Sequence, residues 1–114
     1  MALAKMNDLL EYAKSNQKGC GSFSVGNMEM IIGAVKAAED SNTPIILQIA
    51  EVRLKHSPLE LIGAMMLEAA KNAKVDIAVH LDHGLTLYTI RKALDMGFTS
   101  VMFDGSALLF EQNI

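Results

Sequence analysis

The sequence predicts an α/β fold of parallel β/α units that form roughly the first half of a TIM barrel, preceded by an extra N-terminal helix. Short apolar runs alternate with helical periodicities along the 114 residues. Each predicted strand carries polar residues on one face and apolar residues on the other. The polar residues gather toward the carboxyl ends of the strands, where (β/α)₈ enzymes place their active sites.

Composition and charge limit the class of protein. Hydrophobic residues make up 51% of the chain and charged residues 20%, and the net charge is −3. These values are typical of a folded domain. Because the sequence has no basic cluster and no apolar run of about 18 residues, we expect neither a nucleic acid nor a membrane as a partner. Cys20 stands alone, so no intrachain disulfide is possible, and a cytoplasmic location is expected.

The amino-terminal half predicts two helices and two strands. The first helix covers Leu3 to Lys14, and a short strand follows at Ser22 to Val25. Asn27 is a good N-cap for a second helix that ends near Asp40. Ile45 to Ala50 is an almost continuous apolar run, typical of a strand that is buried on both faces. The apolar residues at helical spacing in the first helix are Leu3, Met6, Leu10 and Ala13.

The next helix has the clearest start in the sequence. Ser57 to Glu60 has the pattern of a capping box with proline at the first helical position. The third strand is predicted at Asp76 to Asp82.

The last elements follow the same alternation. Thr86 is predicted to cap a helix that Gly97 ends as its C′ residue, and Ser100 to Asp104 forms the fourth strand. Phe110 to Ile114 looks like the first turn of a further helix. The residues expected to face inward from the helix after Thr86 are Leu87, Ile90 and Leu94.

The distribution of side chains on the strands favours a barrel over an open, doubly wound sheet. The predicted inner, polar face comprises Ser22, Ser24, Gln48, Ala50, Ala78, His80, Asp82, Ser100, Met102 and Asp104. The predicted outer, apolar face comprises Phe23, Val25, Ile45, Leu47, Ile49, Ile77, Val79, Leu81, Val101 and Phe103. A doubly wound sheet has helices on both faces and gives no reason for this separation. Since a complete barrel needs about 250 residues, we interpret residues 1–114 as a single incomplete barrel domain with four strands, truncated in its fourth helix.

The densest group of chemically active residues is the segment from His80 to Gly84. Asp82 shares the inner face with His80, and His83 follows where the strand gives way to a loop. A carboxylate beside an imidazole suits general acid–base catalysis, and a histidine there suits a metal. Buried histidines that are merely hydrogen-bonded explain the same pattern equally well. Asp104 should lie nearby, where it could bind a metal, orient His83 or close an Asx turn.

Two further inner-face residues, Ser24 and Gln48, are candidates for binding a polar substrate. Small or polar residues that simply fill a tapering barrel are an equally good interpretation of both positions.

Five segments together resemble the class II, zinc-dependent ketose-bisphosphate aldolases, which include the fructose- and tagatose-bisphosphate aldolases. The most specific is VDIAVHLDHG at Val75 to Gly84, combined with FTSVMFDGS at Phe98 to Ser106. The others are Phe23 to Glu29, Pro44 to Gln48, and Phe110 to Ile114.

The resemblance implies a chemistry and a cofactor. Asp82 would be the catalytic acid–base at the C4 oxygen of a ketose, and His83 would be a ligand of a zinc ion. Asp104 matches an acidic group near the metal site. The implied partner is a sugar-phosphate substrate, and the implied role is in sugar-phosphate metabolism. The chain departs from the family pattern at Ser24, where many members carry Asn, and at Ala50, where some carry Ser.

Three interpretations of a four-strand chain stay open at this point. The chain could be the N-terminal portion of an aldolase that is inactive alone. It could pair with a second copy through its open strand edges, as a homo-oligomer that completes a barrel. It could also be a non-catalytic interaction module that keeps the aldolase strand core.

Overall fold

The computed structural model describes residues 3–114, which form four strands, five α-helices and one 3-10 helix. The strands are β1 (Ser22–Ser24), β2 (Ile45–Ala50), β3 (Ile77–Gly84) and β4 (Ser100–Phe103). The α-helices are α1 (Met6–Ser15), α2 (Met28–Asp40), α3 (Leu59–Asn72), α4 (Leu87–Met96) and α5 (Phe110–Asn113). The 3-10 helix, Glu51–Lys55, directly follows β2.

The four strands form one parallel sheet in the order β1-β2-β3-β4. A doubly wound sheet reverses its strand order at a switch point, whereas this sheet adds each new strand to the same edge. The predicted part-barrel topology is therefore confirmed. Among the helices of residues 3–114, none has the length and apolar character needed to span a bilayer.

The main hydrophobic core lies between the apolar face of the sheet and helices α2, α3 and α4. Leu47, Val79 and Leu81 are completely buried there, as predicted. Phe23 and Phe103 were predicted on the same buried face, but they remain 48% and 46% exposed. Both lie on the edge strands, β1 and β4, where only one neighbouring strand is present to help cover them.

Helix α1 packs on the opposite face of the sheet, at its amino end. Leu9 is 1% exposed and contacts Ile46 and Ala78, which lie on the face that also carries the polar residues. Helical spacing grouped Leu10 with Ala13, but the buried residues of α1 are Leu9 and Ala13, and Leu10 is exposed. The inner face is thus closed by α1 at one end and open at the other.

Helix boundaries mostly follow the predicted signals. Asn27 and Thr86 cap α2 and α4 with their side chains, and Gly97 ends α4 with a φ of 109°, which favours glycine. The predicted capping box at α3 is wrong. Pro58 is the N-cap residue there, and the Ser57 hydroxyl instead donates to the Gly26 carbonyl at 2.7 Å.

The inward face of α4 is narrower than predicted. Ile90 is buried as expected, together with Ala93. Leu87 and Leu94 are 63% and 48% exposed, so their predicted burial is wrong. The contact with β3 and β4 reaches only the stripe centred on Ile90 and Ala93, which leaves the flanking leucines uncovered.

Candidate active site at the carboxyl ends of the strands

A chain of hydrogen bonds crosses the inner face from β1 to β3. Gln48 accepts a hydrogen bond from the Ser22 hydroxyl at 2.5 Å. Its amide nitrogen donates to the Ser24 hydroxyl at 3.0 Å and to Asp82 Oδ2 at 3.2 Å. The parallel register makes this possible, because Gln48 lies opposite Ser24 on one side and His80 on the other. Ser24, Gln48 and Asp82, three of the predicted site residues, are thus brought together.

Asp82 lies between two imidazoles. Its Oδ1 is 3.6 Å from His80 Nε2, and its Oδ2 is 3.6 Å from His83 Nε2. The His80 side chain is only 14% exposed, and its Nδ1 is 2.8 Å from the Ser100 hydroxyl on β4. Burial lowers the pKa of His80, although the neighbouring Asp82 acts in the opposite direction. The net effect is a lowered pKa, so His80 is neutral at neutral pH.

His83 and Asp104 form a close pair at the mouth of the sheet. His83 Nδ1 is 2.7 Å from Asp104 Oδ2, and a carboxylate can only accept, so Nδ1 carries the proton. The hydrogen bond to Asp104 raises the pKa of His83. Hydrogen bonds from Ser106 and His83 lower the pKa of Asp104 to about 2. The backbone amide of Ser106 donates to Asp104 Oδ1 at 2.9 Å. Asp104 therefore also closes an Asx turn, which is one of the roles predicted for it from the sequence.

The backbone at His83 is in a left-handed conformation, with a φ of 46°. Such an angle is uncommon outside glycine and is tolerated best by residues such as Asn, Asp and His. The strand register between β3 and β4 shifts at the same place, between Leu81 and Gly84. The shift turns His83 out of the strand alternation, toward Asp104.

Glu51 holds the loop that follows His83, and the sequence reasoning missed this residue. Its carboxylate accepts hydrogen bonds from the backbone amides of Leu85 and Thr86 and from the Thr86 hydroxyl. Burial raises the pKa of Glu51, but the hydrogen bonds from Thr89, Leu85 and Thr86 together lower it below its usual value. Its position directly after β2 was the one signal that could have found it.

Arg53 is a second residue that was not predicted from the sequence. It lies on the 3-10 helix after β2 and lines a cavity that also contains Ser24 and Ala50. A charged residue within three positions of the carboxyl end of a barrel strand is the signal that points to such a residue.

The residues present fit part of a zinc site. A catalytic zinc usually takes three protein ligands, and residues 3–114 contain no cluster of three or more His, Cys, Asp or Glu side chains that could hold a metal. His83 nevertheless has the features of one ligand. Asp104 holds the Nδ1 proton, so in the neutral imidazole the lone pair that could bind a metal is on Nε2, as in the carboxylate–histidine–zinc arrangement.

Comparisons with known proteins agree with this geometry. A fructose-bisphosphate aldolase of Giardia intestinalis is 39% identical over 116 residues, which cover 100% of this chain and 36% of that protein. A sulfofructosephosphate aldolase of Alkalicoccus urumqiensis is 42% identical over 113 residues, which cover 99% of this chain and 39% of that protein. The crystal structure of the YdjI aldolase from Escherichia coli K12 superposes with a TM-score of 0.89 and 32% identity, covering 97% of this chain and 43% of that one.

The chain spans 36% and 39% of the length of these two relatives. The sequence model described as "Fructose-bisphosphate aldolase class-II" matches residues 4–114, a range that contains every site residue named above. With the match extending over nearly the whole chain, these residues belong to the class-II fructose-bisphosphate aldolase family.

Proposed function

We propose that the full-length protein carrying this chain is a zinc-dependent class II aldolase. It would reversibly cleave a ketose bisphosphate to dihydroxyacetone phosphate and an aldehyde. The observation that carries the proposal is the position of Asp82, hydrogen-bonded to Gln48 and flanked by His80 and His83 at the open end of the sheet. The family match supports the reaction class.

Asp82 is proposed as the general acid–base. Cleavage of the bond between C3 and C4 requires loss of the proton from the C4 hydroxyl. The Asp82 carboxylate accepts this proton, the O–H electron pair becomes the aldehyde C=O bond, and the C3–C4 pair remains with the dihydroxyacetone phosphate half. In the reverse direction Asp82 returns the proton. A side-chain exposure of 21% leaves the carboxylate within reach of a substrate at the mouth.

His83 and Asp104 are proposed to serve the metal. His83 would bind zinc through Nε2, and Asp104 would hold the imidazole in the required tautomer and orientation through Nδ1. Zinc, when bound, would supply Lewis-acid polarisation of the ketose carbonyl. The remaining ligands would come from residues outside this chain.

Ser24 and Gln48 are proposed to bind substrate hydroxyls. The hydrogen bonds among Ser22, Gln48 and Ser24 fix the Gln48 amide beside Asp82. A fixed amide next to the acid–base orients the hydroxyl that gives up its proton, so little reorganisation is needed at the moment of reaction.

The four strands are proposed to be half of one barrel domain that further strands complete. The unreversed strand order and the open carboxyl end of the inner face support this. A protein acting on sugar phosphates in this way is proposed to work in the cytoplasm.

A coupled assay of dihydroxyacetone phosphate release tests the proposal on the full-length protein. We expect cleavage of fructose or tagatose bisphosphate that is lost on chelation and restored by zinc. Activity that survives thorough chelation would contradict the zinc proposal, and absence of cleavage with every ketose phosphate tested would contradict the reaction class.

A further inference from the structure

A cavity of about 300 Å³ opens at the carboxyl ends of β1 and β2. Its lining includes Ser24, Ala50 and Arg53. Ala50 pairs in register with Asp82, and Ser24 is linked to Asp82 through the side chain of Gln48. The cavity therefore adjoins the proposed acid–base on the side of β1 and β2.

Arg53 supplies the positive charge of this cavity, and its guanidinium lies against the backbone of Gly26. A Cβ atom at Gly26 would lie 2.8 Å from both Nε and Nη2 of Arg53, so a larger residue would displace the guanidinium. Ser57 fixes the Gly26 loop by donating a hydrogen bond to its carbonyl at 2.7 Å. Within residues 3–114, Arg53 forms no ion pair, so its permanent charge is available to a ligand.

Apart from Arg53, the lining of the cavity is uncharged. It comprises Ser24, Val25, Gly26, Met30, Ile49 and Ala50. The methyl group of Ala50 cannot donate a hydrogen bond, so Arg53 is the charged donor among these side chains.

We propose that Arg53 binds a terminal oxyanion on the aldehyde half of the substrate and thereby selects anionic over neutral substrates. The inference rests on the proposed function, because Asp82 marks the C4 oxygen and the aldehyde half begins there. A planar guanidinium matches two oxygens of a phosphate or a sulfonate in a bidentate contact. Either group presents this tetrahedral oxyanion, and the test separates the two.

The test measures aldol condensation by the full-length protein with dihydroxyacetone phosphate and one of three aldehydes. These are glyceraldehyde 3-phosphate, the matching three-carbon aldehyde that ends in a sulfonate, and neutral glyceraldehyde. In Arg53→Met we expect the ratio of kcat/KM for the preferred anionic aldehyde to kcat/KM for glyceraldehyde to fall about 30-fold or more, mainly through KM. Arg53→Lys keeps the positive charge but loses the planar guanidinium that makes the bidentate contact, so its ratio should lie between those of Arg53→Met and wild type. The anion with the larger loss identifies the natural group.

Lys55→Met is the matched control, because Lys55 is an exposed cation on the same 3-10 helix but outside the cavity lining. It should leave the ratio within about twofold of the wild-type value. Equal losses with all three aldehydes in Arg53→Met, or an equal fall of the ratio in Lys55→Met, would overturn the role of Arg53.

A binding measurement separates this inference from the proposed function. Inorganic phosphate and methanesulfonate are titrated into the full-length protein while the Arg53 Nε–H resonance is followed by NMR. A saturable shift in wild type and in Lys55→Met supports the anion site even if the protein cleaves no ketose phosphate. Turnover without a saturable shift at Arg53, or neither turnover nor shift, overturns it.

Discussion

His83 is held from two sides in an unusual backbone conformation. Its φ of 46° belongs to a region that costs most residues free energy. Asp104 binds the imidazole, while Glu51 binds the amides of Leu85 and Thr86 just beyond it. Such contacts keep one orientation of the imidazole, which a metal ligand needs.

Replacing Asp104 should weaken zinc binding by the full-length protein. Asp104→Asn keeps an acceptor for the His83 Nδ1 proton but removes the negative charge, so we expect zinc affinity to fall about tenfold or more in a chelator-competition titration. Asp76→Asn is the matched control, since Asp76 is exposed just before the amino end of β3. Equal zinc affinities of wild type and Asp104→Asn would contradict the positioning role.

Glu51 should make the stability of the fold sensitive to acid. Its pKa is lowered from 4.5 in the fold, so its contribution is complete above pH 4.5 and is lost as pH falls through the lower folded value. In urea titrations we expect Glu51→Gln to unfold about 2 kcal/mol more easily at neutral pH. The difference from wild type should shrink below pH 4.5. The exposed Glu11→Gln should show no such trend, and a difference that stays constant with pH would contradict the assignment.

At the scale of elements, helix α1 buries Leu9 rather than Leu10, the residue that helical spacing groups with Met6 and Ala13. It lies across the amino end of the inner face, where Leu9 contacts Ile46 and Ala78. Its position closes one end of the sheet and leaves the polar cluster open at the other.

Neighbouring leucines on α1 provide a direct stability test. Leu9 is 1% exposed and Leu10 is 50% exposed. Leu9→Ala should lower the free energy of unfolding by about 3 kcal/mol through the cavity it leaves. Leu10→Ala should change it by less than about 0.5 kcal/mol. Urea unfolding of both variants measures the difference, and similar losses would show that α1 packs through another face.

Strand periodicity explains why much of the site could be predicted from the sequence. Side chains alternate along a strand, and the carboxyl ends of parallel strands meet at one edge, so Gln48, Asp82 and Asp104 were placed correctly near one another. Glu51 could not be found in this way, because its bonds to Leu85 and Thr86 join residues 34 and 35 positions apart. Whether Leu9 or Leu10 is buried depends on the contact of α1 with Ile46 and Ala78, which helical spacing alone does not determine.

At the scale of the whole molecule, the four-strand sheet has two open edges. β1 and β4 each have one strand neighbour in residues 3–114. Exposed apolar side chains lie on β4 and in the segment that follows it, among them Phe103, Leu109 and Phe110. Uncovered strand edges and apolar surface favour association with another chain.

The isolated 114-residue chain should therefore self-associate. We expect native mass spectrometry to find dimers or larger species at micromolar concentration. Phe103→Lys, on the edge strand, should raise the monomer fraction, because a charge there opposes edge pairing. Leu61→Lys is the control. It removes an apolar side chain that is 65% exposed on α3, away from the strand edges, and should leave the monomer fraction unchanged. A wild-type chain that is monomeric throughout this range would contradict association through the edges.

The role of Asp82 is the central claim, and its most direct test compares two partial reactions of the full-length Asp82→Asn variant. One is the cleavage of fructose bisphosphate, and the other is solvent exchange of the C3 proton of dihydroxyacetone phosphate. If Asp82 acts only at the C4 oxygen, as proposed, cleavage should fall about 100-fold or more, while C3 exchange should stay within a few-fold of wild type. Equal losses in both reactions, or cleavage at the wild-type rate, would contradict the account.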